Sequence, residues 1–296
     1  QSTTPPTVRC SVLPPQSNFI RKATVCLLSF IPICAESEAV GMVINMESMK
    51  KVIVLGAGTV GEAVAKQLLN RDCSVFLCDD DSAKLDAAGK RLDGVSTLLI
   101  KDLKADAAKT IAVAVETMGG LDGFVCALDN DDYQPFETQE FTYWRKLRER
   151  FLDVPFIWGQ AVGNKLSETQ EDSFIIYILR DLCTRQDPDD PAFCAVESGL
   201  KGLLRTMALT LGKHRVTVNG IAVGTLDTSE ELERLGKMAA FKGITAEAMA
   251  EVKKAETLTG RLQTAEDVAQ LCEFVIWEAI NISGQVLLLN GGTCFN

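Results

Sequence analysis

The sequence predicts an α/β fold, a doubly wound sheet of seven parallel strands with helices on both faces. Three observations carry that expectation. Short apolar, β-branched runs alternate with helical patterns from Lys51 onward, as in a parallel sheet covered on both faces. The first run passes straight into a glycine-rich turn and then a helix. The chain's 296 residues, 47% of them hydrophobic, provide enough apolar surface for one large core.

The predicted strands are 51–55 (KVIVL), 74–78 (SVFLC), 96–100 (STLLI), 123–127 (GFVCA), 173–179 (SFIIYIL), 215–222 (RVTVNGIA) and 285–289 (QVLLL). Between them, Glu62 to Asn70 places Val64, Leu68 and Leu69 on one side of a helix, and Ala105 to Met118 has the same character. Asp181 to Pro191, rich in Pro and Asp, reads as an irregular, solvated loop. Ser229 to Ala240 and Thr245 to Ala255 are two further helical stretches. Right-handed crossovers gather the loops at the strand C-termini on one edge of the sheet, where such folds bind ligands.

A formal net charge of −10 and a pI near 4.8 argue against nucleic acid and anionic lipid surfaces as partners. Ten cysteines without a C-x-x-C pair, and a single histidine, His214, point to neither a metal site nor a disulfide framework. Reduced thiols in a cytoplasmic or organellar compartment are the simplest reading. Residues 1–49 are set apart as an N-terminal extension, with a domain over 50–296. Residues 1–34 lack Asp and Glu, and Arg21 and Lys22 precede an apolar run, Ala23 to Ala35, too short to span a bilayer. That pattern resembles a signal or transit peptide; the alternative is read-through upstream of Met42, Met46 and Met49.

Gly56-Ala57-Gly58-Thr59-Val60-Gly61 sits between the first strand and its helix, and Asp79 closes the next strand 18 residues beyond Gly61. In that context G-x-G-x-x-G is the dinucleotide fingerprint of the Rossmann fold. Its glycines let the backbone approach a pyrophosphate, and the helix N-terminus supplies free N–H groups. Asp79 would accept from ribose hydroxyls, and Asp79, Asp80 and Asp81 together would repel a 2′-phosphate, favouring NAD(H) over NADP(H). A solvated acidic turn is the plainer role for Asp80 and Asp81.

From Lys51 to Gly292 the chain resembles a classical short-chain dehydrogenase/reductase. Asp102-Leu103 looks like the family's Asp-Val after the third strand, implying an adenine contact. Cys126-Ala127-Leu128-Asp129 stands where the family writes Asn-Asn-Ala-Gly, with Ala127 as a cofactor contact. Val218 to Gly224 resembles V-N-x-[IV]-x-P-G with Val223 for Pro, and the stretch from Ile282 to Gly292 resembles I-T-G-Q-x…D-G-G. The glycine loop departs: Leu55 replaces a Thr and the loop is one residue shorter than usual for the family.

The catalytic positions depart further. Phe193 and Glu197 stand in place of Tyr-x-x-x-Lys, where a Lys one turn away lowers the Tyr pKa and makes it a usable acid/base. The same alignment puts Phe151 at the Asn and Arg180 at the Ser, and the thirteen residues from Arg180 to Phe193 match the family's Ser-to-Tyr spacing. Once one member of such a unit is lost, losing the others costs little more. Tyr177 or Tyr133 might otherwise supply a hydroxyl, against plainer roles as a strand residue packed under a helix and an exposed loop aromatic. Glu197 is expected to pair with Lys201 one turn on, or with Arg180 across the site. By resemblance, 226–258 is a substrate lid in which Met238, Phe241 and Met249 line a pocket or simply pack. Arg145, Lys146, Arg148 and Arg150 read as a solvated face or subunit contact, and the family implies a homodimer or homotetramer. Three functions are consistent with these residues: an NAD(H)-binding protein without the family's acid/base chemistry, acting in a binding, regulatory or assembly role; an active NAD-dependent oxidoreductase of an unknown alcohol or ketone; and a structural subunit that binds no nucleotide.

Overall fold

The computed structural model describes residues 49–296, so all but one residue of the N-terminal extension lies outside the described residues. Seven parallel strands form one sheet: β1 (Lys51–Leu55), β2 (Ser74–Asp79), β3 (Ser96–Leu99), β4 (Gly123–Cys126), β5 (Ser173–Arg180), β6 (Val216–Val223) and β7 (Val286–Leu289), in the order β3-β2-β1-β4-β5-β6-β7. This is the predicted doubly wound sheet. The order reverses between β1 and β4, and Leu55, Cys78 and Cys126 lie level across the three strands that flank the reversal. The loops leaving those strands therefore face one crevice.

Helices α1 (Thr59–Leu69), α2 (Ser82–Arg91), α3 (Ala107–Met118), α4 (Phe141–Arg148), α5 (Val154–Ser167), α6 (Pro191–Leu211), α7 (Ser229–Lys242), α8 (Ala246–Ala255) and α9 (Ala265–Trp277) cover the sheet and its edge. Helix α1 starts at Thr59, earlier than its apolar periodicity suggested, because extended Gly58 opens the first turn directly after the glycine loop. Helix α6 begins at Pro191, whose fixed φ suits a first turn that needs no N–H there. One turn of π-helix, Glu149–Asp153, joins α4 to α5 where the resemblance implied a single helix from Trp144 to Phe156.

Apolar residues alternate onto two cores, one per face of the sheet. The first contains Ile53, Phe124, Tyr177 and Trp158; the second contains Val52, Val54, Val64 and Val268 and is closed by α1 and α9. No described helix is long and apolar enough to cross a membrane. The seven described cysteines are unpaired thiols. The Asp181–Pro191 segment is not the solvated loop expected. Asp181, Asp187 and Asp190 are buried. Arg185 and Lys253 hold Asp187, Arg234 holds Asp190, and the Thr293 hydroxyl donates to Asp181 at 2.6 Å.

Trp158 ties the first core to the crevice. It is fully buried, stacks on Phe124 with centroids 5.8 Å apart, and donates Nε1–H to the Leu103 carbonyl at 2.7 Å. Trp158→Phe removes both ring volume and that donor. It is expected to cost about 2 to 4 kcal/mol in denaturant unfolding. A loss under about 1 kcal/mol would show that this contact does not fix the loop after β3.

Candidate functional site

The glycine loop is shaped by two kinds of constraint. Gly56 has φ +110°, and a Cβ there would fall on the Ala127 carbonyl oxygen, so only glycine fits. A Cβ on Gly61 would fall on the Gly56 carbonyl. Both positions are required by backbone packing alone. Gly58 differs: its backbone is ordinary extended chain, and the space its missing side chain leaves is filled by carboxylates. A Cβ there would meet the Asp129 carboxylate and lie 3.0 Å from Glu230 Oε1. Glu230 accepts the Thr59 N–H at 3.0 Å and the Thr59 hydroxyl at 2.8 Å. Although a half-buried position disfavours its charge, hydrogen bonds from its own backbone N–H and from Thr59 hold the Glu230 carboxyl below the usual range. The N-terminus of α1, including Thr59, Val60 and Gly61, thus faces an anion supplied by the chain itself. Through those two hydrogen bonds the first turn of α1 donates to an anionic group, as a helix N-terminus favours.

The adenosine side of the crevice is just as densely paired. Asp79 is buried; its Oδ2 accepts from Ala57 N–H at 2.5 Å and its Oδ1 from Asp81 N–H at 3.0 Å, so it ties the glycine loop to β2. Burial pushes its carboxyl up to about 6, opposed by the Ala57 hydrogen bond. Asp81 caps α2. Asp80 pairs with Arg150 at 3.1 Å, and Arg150 also approaches Asp129 at 3.6 Å, so the acidic turn is not merely solvated and the basic run is not merely a surface face. Lys84 completes the group with 2.6 Å to Asp129. Asp102 is exposed and accepts from Lys104 and Ala105 N–H, while Leu103 is buried with its carbonyl taken by Trp158. Ala127 is buried and donates its N–H to Leu55.

The four positions that the resemblance assigns to catalysis, Phe151, Arg180, Phe193 and Glu197, line one cavity. Phe151, on the π-helical turn, and Phe193, on α6, are buried with ring centroids 5.0 Å apart, and Leu147, Leu182 and Val196 surround them. Glu197 lies one turn along α6 and is buried, its Oε2 accepting the backbone N–H of Arg180 at 3.0 Å. Desolvation pushes its carboxyl up to about 8, beyond what that N–H and the nearby guanidinium offset. The expected Arg180–Glu197 ion pair does not form. The Arg180 guanidinium turns instead to Glu231 on α7, bidentate at 2.6 and 2.8 Å. Arg234 holds the same carboxylate at 3.0 and 3.1 Å and reaches Asp190 at 3.2 Å. Burial opposes ionisation of Glu231, but the two guanidiniums outweigh it and hold the carboxyl at about 2. These groups enclose a cavity of about 50 Å³ lined by Val60, Ala127, Phe151, Phe193 and Glu197. It has room for a few waters, well below the roughly 300 Å³ at which small-molecule pockets begin.

The sequence matches the family model described as enoyl-(acyl carrier protein) reductase over residues 56–294. The chain belongs to the short-chain dehydrogenase/reductase family. It is 28% identical over 261 residues to the short-chain reductase protein NovJ of Streptomyces niveus, covering 84% of this chain and 95% of that one. It is 26% identical over 257 residues to a short-chain dehydrogenase/reductase of Armillaria gallica, covering 82% and 95%. Among solved structures, an actinorhodin polyketide ketoreductase with NADPH superposes with a TM-score of 0.77 at 19% identity, covering 82% of this chain and 97% of that one. Short-chain dehydrogenase/reductases bind nicotinamide dinucleotides. Here the groups that would hold one are the first turn of α1, Gly58, the end of β2 and Ala127.

Other candidates for this short-chain dehydrogenase/reductase's chemistry fall away from the cavity. Tyr177 is fully buried and donates to the Pro155 carbonyl at 3.1 Å. Tyr133 is not the exposed loop aromatic expected. It is buried against Leu235, Met238, Ala239 and Met249, where burial pushes its hydroxyl up to about 12. Met238 and Met249 therefore pack the lid rather than line a pocket, and Phe241 faces solvent. Lys201 donates to the Thr184 hydroxyl at 2.7 Å rather than to Glu197. The sequence reading missed Glu230, Glu231, Arg234, Asp190 and Asp129. One signal was available: Glu231, Arg234, Leu235 and Met238 follow i, i+3, i+4, i+7, which puts two charges on the face of α7 that packs inward.

The raised Glu197 carboxyl gives a pH prediction. The folded group keeps its proton to about 8, whereas the unfolded group releases it near its ordinary 4.5. Between those values the folded state holds the extra proton, so this group makes stability fall as pH rises, and the loss is complete above about 8. Glu197→Gln keeps an acceptor for Arg180 N–H without the charge. It is expected to raise the urea midpoint at pH 9 and leave it nearly unchanged at pH 5; equal effects at both would refute the assignment.

Proposed function

We propose that this protein is a short-chain dehydrogenase/reductase relative that binds NAD(H) and has given up the family's proton-transfer step, acting in a binding, regulatory or assembly role. The observation that carries the reading is the packing of the four catalytic positions. An aromatic pair, a guanidinium committed to Glu231 and a buried carboxyl provide no hydroxyl beside a cation. The Glu230 carboxylate, accepting from Thr59 at the start of α1, supports an anion-accepting turn, which the pyrophosphate of a dinucleotide matches. NAD(H) is favoured over NADP(H) because three carboxylates, Asp79, Asp80 and Asp81, cluster at the end of β2, where the adenosine ribose would lie. A 2′-phosphate brought there would be repelled by them. When bound, a nicotinamide supplies hydride chemistry of its own.

A second reading has one observation in its favour. Glu197 lines the cavity and holds a proton at neutral pH, as a general acid must. In that case the protein is an active NAD-dependent oxidoreductase of an alcohol or ketone with an unorthodox acid.

Titration of the full chain with NADH is expected to give a saturable change in nicotinamide fluorescence. Absence of any change at millimolar NADH, in wild type and in Glu230→Ala alike, would leave a structural subunit without nucleotide binding. Screening alcohols and ketones separates the other two readings: cofactor-dependent turnover that Glu197→Gln abolishes would establish the second. Under the first reading, combining Phe151→Asn, Arg180→Ser, Phe193→Tyr and Glu197→Lys is expected to raise carbonyl reduction by roughly 100-fold or more, the scale of one restored acid/base group. Each substitution alone is expected to do nothing measurable.

A further inference from the structure

Two adjacent residues at the start of α7 act on two separate parts of the crevice. Glu230 reaches the N-terminus of α1, accepting from the Thr59 N–H and hydroxyl, while Glu231 faces the opposite way into Arg180 and Arg234. Thr228 caps the helix from which both project, its hydroxyl accepting Glu231 N–H. Arg234 is in turn anchored on Asp190, at the entrance to α6. The first turn of α7 is thus pinned from below by buried ion pairs, and the pinning presents Glu230 to the glycine loop. Asp129, held by Lys84 and Arg150, lies beside it over Gly58.

We propose that Glu230 is an autoinhibitory plug: its carboxylate takes the place of a diphosphate on α1, and a dinucleotide enters only by displacing the first turn of α7. The inference rests on the dinucleotide-binding reading above and adds how that site is closed. The geometry leaves little alternative for an entering anion. The Thr59 donors are already used, and a diphosphate brought to them would meet two carboxylates at contact distance in a half-buried site. The small cavity behind the plug is lined by Glu230 and Glu231 together, so lifting that turn opens both the anion position and the space beside Phe193.

The test compares NADH binding to the full chain by nicotinamide fluorescence in wild type, Glu230→Gln, Glu230→Ala and Glu233→Gln. Glu233 is an exposed α7 residue paired only with Lys237 and serves as the control. Both Glu230 variants are expected to bind NADH roughly tenfold more tightly than wild type, the factor equivalent to one charge-assisted contact. The control is expected to bind as wild type does. Hydrogen exchange supplies a second readout that does not depend on the variants folding well. Saturating NADH is expected to speed amide exchange in residues 229–235 of the wild type, opposite to the protection a ligand confers on a preformed site. Unchanged affinity in both Glu230 variants, or slower exchange in that segment, overturns the plug and leaves the dinucleotide reading standing. No saturable NADH binding by wild type or any variant overturns that reading and the plug with it.

Discussion

A guanidinium at the end of β5 stays half-buried only if a carboxylate lies against it, and much of the crevice follows from that requirement. An unpaired charge at such a depth costs several kcal/mol. Arg180 meets the demand through Glu231, which comes from 51 residues further along the chain and belongs to the lid. One carboxylate shared by two guanidiniums leaves a positive charge over, and Asp190 at the entrance of α6 balances it through Arg234. The lid is thereby tied to β5 and to the loop before α6.

The remaining replacements agree with that arrangement. Phe151 and Phe193 occupy with ring carbon the space in which an amide and a phenol would face a reacting carbonyl. Glu197 is buried behind them, and Arg180 has given its guanidinium to Glu231, so Glu197 lowers its cost by remaining protonated. Restoring Tyr at 193 alone would place a phenol beside a neutral carboxyl and a committed arginine, neither of which lowers its pKa. The four positions function as a packed unit, so none regains its family role singly.

The architecture was legible because its signals are local. The run KVIVL, the glycines that follow it and the β-branched run VTVNGIA each announce a buried parallel strand within a few residues, and their ends shift by only a residue in the structure. That Phe151, Arg180, Phe193 and Glu197 line one cavity came from the resemblance to the family, with the thirteen residues between Arg180 and Phe193 in support. What escaped the reading depends on partners distant in sequence. DLCTRQDPDDP has the composition of a solvated loop, yet Arg234 and Lys253 arrive from the lid and draw Asp190 and Asp187 inside. The π-helical turn under Phe151 escaped because one extra residue in a helix barely disturbs apolar periodicity. Tyr133 read as exposed because the α7 and α8 residues that cover it lie a hundred positions away.

The glycine loop itself is weaker testimony to a ligand than its motif suggests. Gly56 and Gly61 would be required in any chain that passes from β1 into α1 this close to Ala127, whether or not a nucleotide ever binds. Their presence reports the fold. At Gly58 the backbone is ordinary and a Cβ would meet side chains, not backbone, so its lack of a side chain answers to whatever lies above it. What lies above it is negative charge: Asp129 against the glycine and Glu230 on the Thr59 donors. Keeping the space while filling it with carboxylates preserves an anion-accepting turn and places an anion of the chain's own in it. The first turn of α7 and a diphosphate are then alternatives for the same donors, and the crevice has two states rather than one.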